Sequence, residues 1–334
     1  MRILIIGGTI FLGRHLAEAA LAAGHEVAFF NRGRHNPDLF PEAEKIRGDR
    51  TKPEDVAALE AAGTWDAVVD TCGYFPKDVR LTAGALADRA GLYCFISSVS
   101  AYGDRNGGGR PLDETAPPAP PPADPETDQM TGETYGPLKV LCENAAVAAF
   151  PGRTLLIRPG LIVGPHDPSD RFTYWPHRVA QGGDILAPDG PEMQTQFIDV
   201  RDLAEWNLRL LERGVADLYN ADGPLITLGA VLDSCVRVSG RTDANPVYVP
   251  EAFLQEQGVE PWMELPLWIP REGRGDGFSS AKAQRDGLTY RPLDVTVKDT
   301  LEWDAARPQE DAWKHALKPE KEAAVLAAWR AAGR

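Results

Sequence analysis

The chain opens on Arg2-Ile3-Leu4-Ile5-Ile6, apolar after its first position and rich in β-branched side chains. A short run of this kind reads as a buried strand. A helical spacing of apolar residues follows at Leu16, Ala17, Ala20 and Leu21. Glu26–Phe30 reads as a second strand and Glu44–Arg47 as a short third. The pattern then alternates: a helix over Pro53–Ala62, a strand over Ala67–Asp70, a helix over Lys77–Arg89 and a strand over Leu92–Ser97. A helix over Tyr135–Ala149 and a strand over Thr154–Pro159 complete the series. Such alternation predicts an α/β fold with a doubly wound parallel sheet.

Two stretches break the rhythm. Between Gly103 and Thr134 lie Gly107-Gly108-Gly109 and a proline cluster over Pro117–Pro122, which fit neither a helix nor a central strand. A loop of this length inside a compact domain is either functional, such as a substrate lid, or a mobile surface insertion. Beyond Gly160 the pattern predicts a smaller lobe with helices over Phe172–Gln181, Arg201–Glu212 and Leu228–Ser239. Residues 249–278 have low periodicity and carry Trp262 and Trp268, aromatics expected in a core rather than a pocket. Pro319–Ala332 reads as a tail helix. The expected organisation is an α/β domain over residues 1–159, to which later segments return, a smaller lobe over 160–305, and a helical tail over 306–334.

Composition narrows the class. The chain has 334 residues, 43% hydrophobic and 25% charged, as ordinary globular proteins do. Its net charge of −14 gives nucleic acid no electrostatic footprint, and no Lys/Arg run exceeds two residues. Cys72, Cys94, Cys142 and Cys235 lie far apart without a C-x-x-C, so neither a disulfide framework nor a zinc site is expected. No apolar stretch is long enough to span a membrane, and Met1 leads directly into the first strand. A reducing cytoplasm is the expected setting.

Candidate chemistry sits at two places. In Thr134-Tyr135-Gly136-Pro137-Leu138-Lys139, the tyrosine and lysine are four apart and share one helix face. A nearby ammonium favours phenolate, which would suit Tyr135 to general acid/base work on a carbonyl/alcohol pair. At the other place, Gly7-Gly8-Thr9-Ile10-Phe11-Leu12-Gly13 joins the first strand to the first helix. Strand, glycine turn and helix amino end form the context in which a dinucleotide pyrophosphate binds.

In these features the chain resembles the extended short-chain dehydrogenase/reductases, the NAD(P)-dependent epimerase/dehydratase-like proteins, over roughly residues 1 to 305. Phe95-Ile96-Ser97-Ser98-Val99-Ser100-Ala101-Tyr102-Gly103 is similar to the family's serine strand, and Arg158-Pro159-Gly160 to the strand end near the nicotinamide. Gln196–Ala204, Leu218-Tyr219-Asn220 and Ser279–Lys282 resemble later landmarks. The resemblance implies a Rossmann-type sheet with a smaller C-terminal substrate lobe. It implies Ser98, Tyr135 and Lys139 as the catalytic set. It also implies a cofactor site including Gly7, Thr9, Ile10, Phe11, Leu12, Gly13, Asn31, Arg32, Arg34, Asp49, Thr71, Cys72, Lys139 and Pro159. A homodimer formed through the tyrosine helix is commonly associated with this family.

The departures shape the functional expectation. Ile10 stands where the family usually has the middle glycine of its turn, a feature similar to an atypical branch that includes chloroplast stem-loop RNA-binding proteins. After the second strand the chain has Asn31-Arg32-Gly33-Arg34 and no acid; arginine there suits a 2′-phosphate, so NADP(H) is favoured over NAD(H). Val99 and Ser100 occupy the positions of the Asp-Glu pair of 4,6-dehydratases, which argues against that reaction. Thr195 and Gln196 stand where family epimerases often place a diphosphate-binding arginine; Arg171 or Arg271 is the substitute candidate. The expected activity is an NAD(P)-dependent oxidoreductase or epimerase acting on a small hydroxyl or carbonyl compound, a sugar or nucleotide sugar among the candidates. The rival readings are a non-catalytic NADP-binding regulator and an RNA-binding protein.

Overall fold

A computed structural model describes residues 1–105, 107–308 and 313–333. It divides into two compact units. The first comprises Met1–Gly160, Val200–Asp222 and Gly275–Thr289; the second comprises Leu161–Asp199, Gly223–Arg274 and Tyr290–Arg334. Residues 309–312 and 334 of the expected tail lie outside the described residues.

The first unit is built on a seven-stranded sheet. Its strands are β1 (Arg2–Ile6), β2 (Glu26–Asn31), β3 (Glu44–Arg47), β4 (Trp65–Asp70), β5 (Ala90–Ile96), β6 (Thr154–Pro159) and a last strand, Leu218–Ala221. Across the sheet the order is Leu218–Ala221, β6, β5, β4, β1, β2, β3, and every neighbouring pair is parallel. The order reverses at β1, so the loops after β1 and β4 flank a topological switch point, where such sheets bind ligands. Helices α1 (Leu12–Ala22), α2 (Pro53–Ala61), α3 (Pro76–Leu86) and α4 (Gly132–Ala149) make the first crossovers. Ile3, Leu4, Ile5, Val68, Val69 and Phe95 are fully buried, as parallel strands covered on both faces require.

The long loop before α4 is fastened at several points. Ala119 N–H donates to Ala101 O at 2.7 Å, and Leu112 N–H to Gly277 O at 2.9 Å. Arg80 and Lys77 of α3 pair with Glu126 and Asp128 of the loop. Asn106 lies outside the described residues.

The second unit has its own core, centred on Phe172, Trp175, Leu232 and Trp268, all fully buried. Around it lie the helices Tyr174–Ala180, Leu228–Ser239, Leu293–Ala306 and Pro319–Ala331. Asp184–Pro188 and Asn245–Val249 pair in parallel within it. Trp268 is a core residue, and its indole N–H reaches Glu251 at 3.4 Å. Among the described residues no helix is long and apolar enough to cross a membrane.

Candidate functional site

The glycine turn is dictated by close approach. Gly7 and Gly8 hold φ of +94° and +87°, conformations that L side chains rarely adopt. A Cβ on Gly13 would stand 2.3 Å from Gly8 Cα, so a side chain there would push α1 off the turn. The amino end of α1 has no side-chain cap and no acid in its first turn, leaving N–H groups and a positive dipole end for an anion. Ile10 is 42% exposed, so its side chain does not fill the turn.

The neighbouring candidates brace this turn. The Asn31 amide donates to Gly7 O at 2.8 Å, and its oxygen accepts from Gly33 N–H and Arg47, both at 2.9 Å. The Thr9 hydroxyl donates to His35 O at 2.8 Å. Thr71 bonds Ile6 O at 2.9 Å and Cys72 lies beside it, so the loop after β4 is stitched to the end of β1. Arg32 and Arg34 are exposed on the loop after β2, and Arg32 comes within 3.9 Å of Asp49. Hydrogen bonds from Thr51, chiefly its backbone N–H, lower the Asp49 pKa.

Helix α4 brings the acid/base candidates to the same edge of the sheet. Thr131 caps it in a reciprocal pair with Thr134, which starts the helix three residues before Tyr135. The sequence pattern misses this because the second partner is Thr rather than the Glu or Gln of the usual capping box. Gly136 faces the serine segment: a Cβ there would stand 2.0 Å from Ser100 O. Lys139 is 3% exposed, and its ammonium donates to Gly73 O at 2.9 Å and Ile96 O at 3.0 Å. Burial lowers its pKa. The Tyr135 ring centre lies 5.9 Å from that nitrogen. Ser98, buried, sits between the Ile96 and Ser100 contacts of α4, and its hydroxyl accepts from Ser100 N–H at 3.1 Å. Phe11 and Leu12 start α1, and Pro159 ends β6.

Two buried ion pairs support this edge. Arg158 grips Glu143 of α4 with bonds of 2.8 and 2.6 Å, both side chains 5% exposed. Arg50 grips Asp70 at 2.6 and 2.7 Å, and Tyr93 donates to the same carboxylate at 2.9 Å. Sequence reasoning missed Arg50 and Asp70. They come from the segment after β3 and the end of β4, and no local spacing joins them.

The three substrate candidates all lie in the second unit. Arg171 bonds Ser169 at 2.9 Å and stands 5.7 Å over the Trp262 ring. Thr195 is buried in a two-stranded ribbon with Ile226. Arg271 is exposed and pairs with Asp189 at 2.7 Å.

A sequence model of the NAD dependent epimerase/dehydratase family matches residues 3–221. The chain belongs to this family. Among curated relatives, it is 26% identical over 271 residues to a chloroplast stem-loop binding protein of 41 kDa from Arabidopsis thaliana, covering 75% of this chain and 67% of that one. It is 29% identical over 228 residues to a 2-alkyl-3-oxoalkanoate reductase from Stenotrophomonas maltophilia, covering 62% and 64%. The chain thus spans about two-thirds of the length of these relatives. Its fold matches the Thermus thermophilus UDP-glucose 4-epimerase solved in complex with NAD. That likeness has a TM-score of 0.67 at 18% identity and covers 92% of this chain and 100% of the other.

Proposed function

We propose that this protein is an NAD(P)-dependent epimerase or reductase of the short-chain dehydrogenase/reductase type. It would interconvert a hydroxyl and a carbonyl on a small molecule, with sugars and nucleotide sugars among the candidates. The observation that carries the reading is Lys139: a buried ammonium held by two carbonyls beside the Tyr135 ring, on the edge where the glycine turn opens. Burial of a lysine is costly unless the charge is put to use or paired.

The residues fit a dinucleotide. Gly7, Gly8 and Gly13 form a cradle that a Cβ would fill, at the uncapped end of α1. That turn would hold the pyrophosphate, and Asp49 would lie toward the adenine. Exposed Arg32, with Arg34 nearby, supports a preference for the 2′-phosphate of NADP(H). When bound, the nicotinamide would supply the hydride chemistry that no side chain provides.

The chain's own residues would do the rest. Tyr135 would take the proton from the substrate hydroxyl, and return it in the reverse direction. Lys139 would stabilise the phenolate by its charge. The Ser98 hydroxyl would donate to the developing oxyanion, a preorganised electrostatic contribution. Arg171, Thr195 and Arg271 are proposed for the substrate side.

The test is a titration of purified protein with NADPH and NADH, followed by nicotinamide fluorescence, alongside the Tyr135→Phe variant. The expected result is binding that favours NADPH, with cofactor affinity within about twofold in the variant and turnover lost by a factor of ~100 or more. Equal loss of binding and turnover in Tyr135→Phe would remove the acid/base assignment. Absence of binding to either nucleotide would remove the enzyme reading.

A further inference from the structure

The Lys139 ammonium is enclosed by more than its two carbonyls. Three rings stand around it, with centres at 4.9 Å for Phe95, 5.1 Å for Tyr74 and 5.9 Å for Tyr135. They are not equivalent. Phe95 is fully buried in β5, and Tyr135 is half-buried on α4. Tyr74 stands on the loop between β4 and α3 and is 44% exposed, one of few large apolar side chains so placed among the described residues. It follows Gly73, whose carbonyl holds the ammonium. Of the three rings around Lys139, that of Tyr74 is the one most open to solvent.

An ammonium kept from water acts strongly on its neighbours, because the intervening dielectric is low. A hydrated one is screened. We propose that Tyr74 is a positioning residue of the acid/base centre: its ring keeps water off Lys139, so that the ammonium's charge acts on the Tyr135 phenol. The inference rests on the reading of Tyr135 and Lys139 as an acid/base pair.

The other groups near Lys139 leave it in command of the local charge. Asp70 at the end of β4 and Arg50 from the segment after β3 neutralise each other in their ion pair. Cys72 lies on the Tyr74 loop and Cys142 on α4. Burial pushes both thiols up, Cys142 to about 12, so neither contributes a charge near neutral pH.

The experiment is a pH titration of phenolate by near-ultraviolet absorbance, which needs no substrate. The Tyr74 and Tyr135 phenols each disfavour the other's ionisation, so Tyr74→Phe is the reference, and the difference between each Tyr74 variant and its Tyr135→Phe counterpart isolates the Tyr135 transition. Three backgrounds are compared: Tyr74→Phe, Tyr74→Leu and Tyr74→Phe/Lys139→Met. Relative to Tyr74→Phe, which keeps the ring, Tyr74→Leu is expected to move the midpoint upward by about half a pH unit or more. Adding Lys139→Met to Tyr74→Phe moves it upward as well. If Lys139→Met shifts the midpoint and Tyr74→Leu does not, the role of Tyr74 is overturned and the pair stands. If Lys139→Met shifts nothing, the acid/base reading fails and this proposal fails with it. Should Tyr74→Leu fail to fold by thermal unfolding, Tyr74→Ser is read in its place.

Discussion

Arg50 carries one of the most consequential charges in the first unit. Its guanidinium meets both oxygens of Asp70 and the Thr82 hydroxyl at 2.9 Å, with Asp70 wholly buried. It thereby joins the segment after β3 to the end of β4 and to α3, beneath the loop that holds Cys72 and Tyr74. Burial raises the Asp70 pKa, but the charge and hydrogen bonds of Arg50, aided by Cys72 N–H and Tyr93, outweigh it and hold the carboxyl low. The folded value lies below the unfolded one of about 3.9. This contribution to stability is therefore full above the unfolded value and is lost as pH falls through the folded one. Removing one partner strands the other: Arg50→Met should cost about 3–5 kcal/mol by urea unfolding at neutral pH. The Arg50→Met/Asp70→Leu double variant should recover most of it. A loss under about 1 kcal/mol in the single variant would mean that water reaches the pair.

At the scale of elements, the glycine turn and its helix depend on one contact. Gly13 faces Gly8 backbone to backbone, and neither can give way. Gly13→Ala should weaken nicotinamide nucleotide binding by at least about tenfold, with a stability loss of ~1–3 kcal/mol from overpacking. Retention of full affinity would show that the turn does not hold the pyrophosphate. Most elements were legible because buried parallel strands give short continuous apolar runs, as Ile3–Ile6 does in β1 and Ala67–Val69 in β4, whose first two residues the reading missed because Asp66 interrupts the run. Lys139 was legible because its relation to Tyr135 is local, four residues along one helix. The carbonyls of Gly73 and Ile96 that hold it were not, since backbone acceptors leave no mark in a sequence. Nor was the Tyr74 ring, whose partner lies 65 positions away on another element, as the residue numbers of that contact show.

At the scale of the molecule, charge and connectivity matter most. Similarity to a stem-loop binding protein raises the question of RNA, but a chain of net charge −14 has few clustered cations to release counterions from phosphates. A structured stem-loop RNA should show no gel retardation at physiological salt; retardation that fades as salt rises would reverse this expectation.

The division into units has a consequence for how the protein comes off the ribosome. The first 160 residues supply six strands, but the seventh arrives only with Leu218–Ala221, and Gly275–Thr289 later still. Until then β6 is a nascent edge with a free row of backbone donors and acceptors, open to pairing with another chain. Tyr102 meanwhile lacks Asn220, which accepts its hydroxyl at 2.7 Å in the finished fold. The stretch Leu161–Asp199 emerges inside that interval, so the second unit begins to be made before the first can close. Translation speed across that interval thus sets how long the sticky edge stays open.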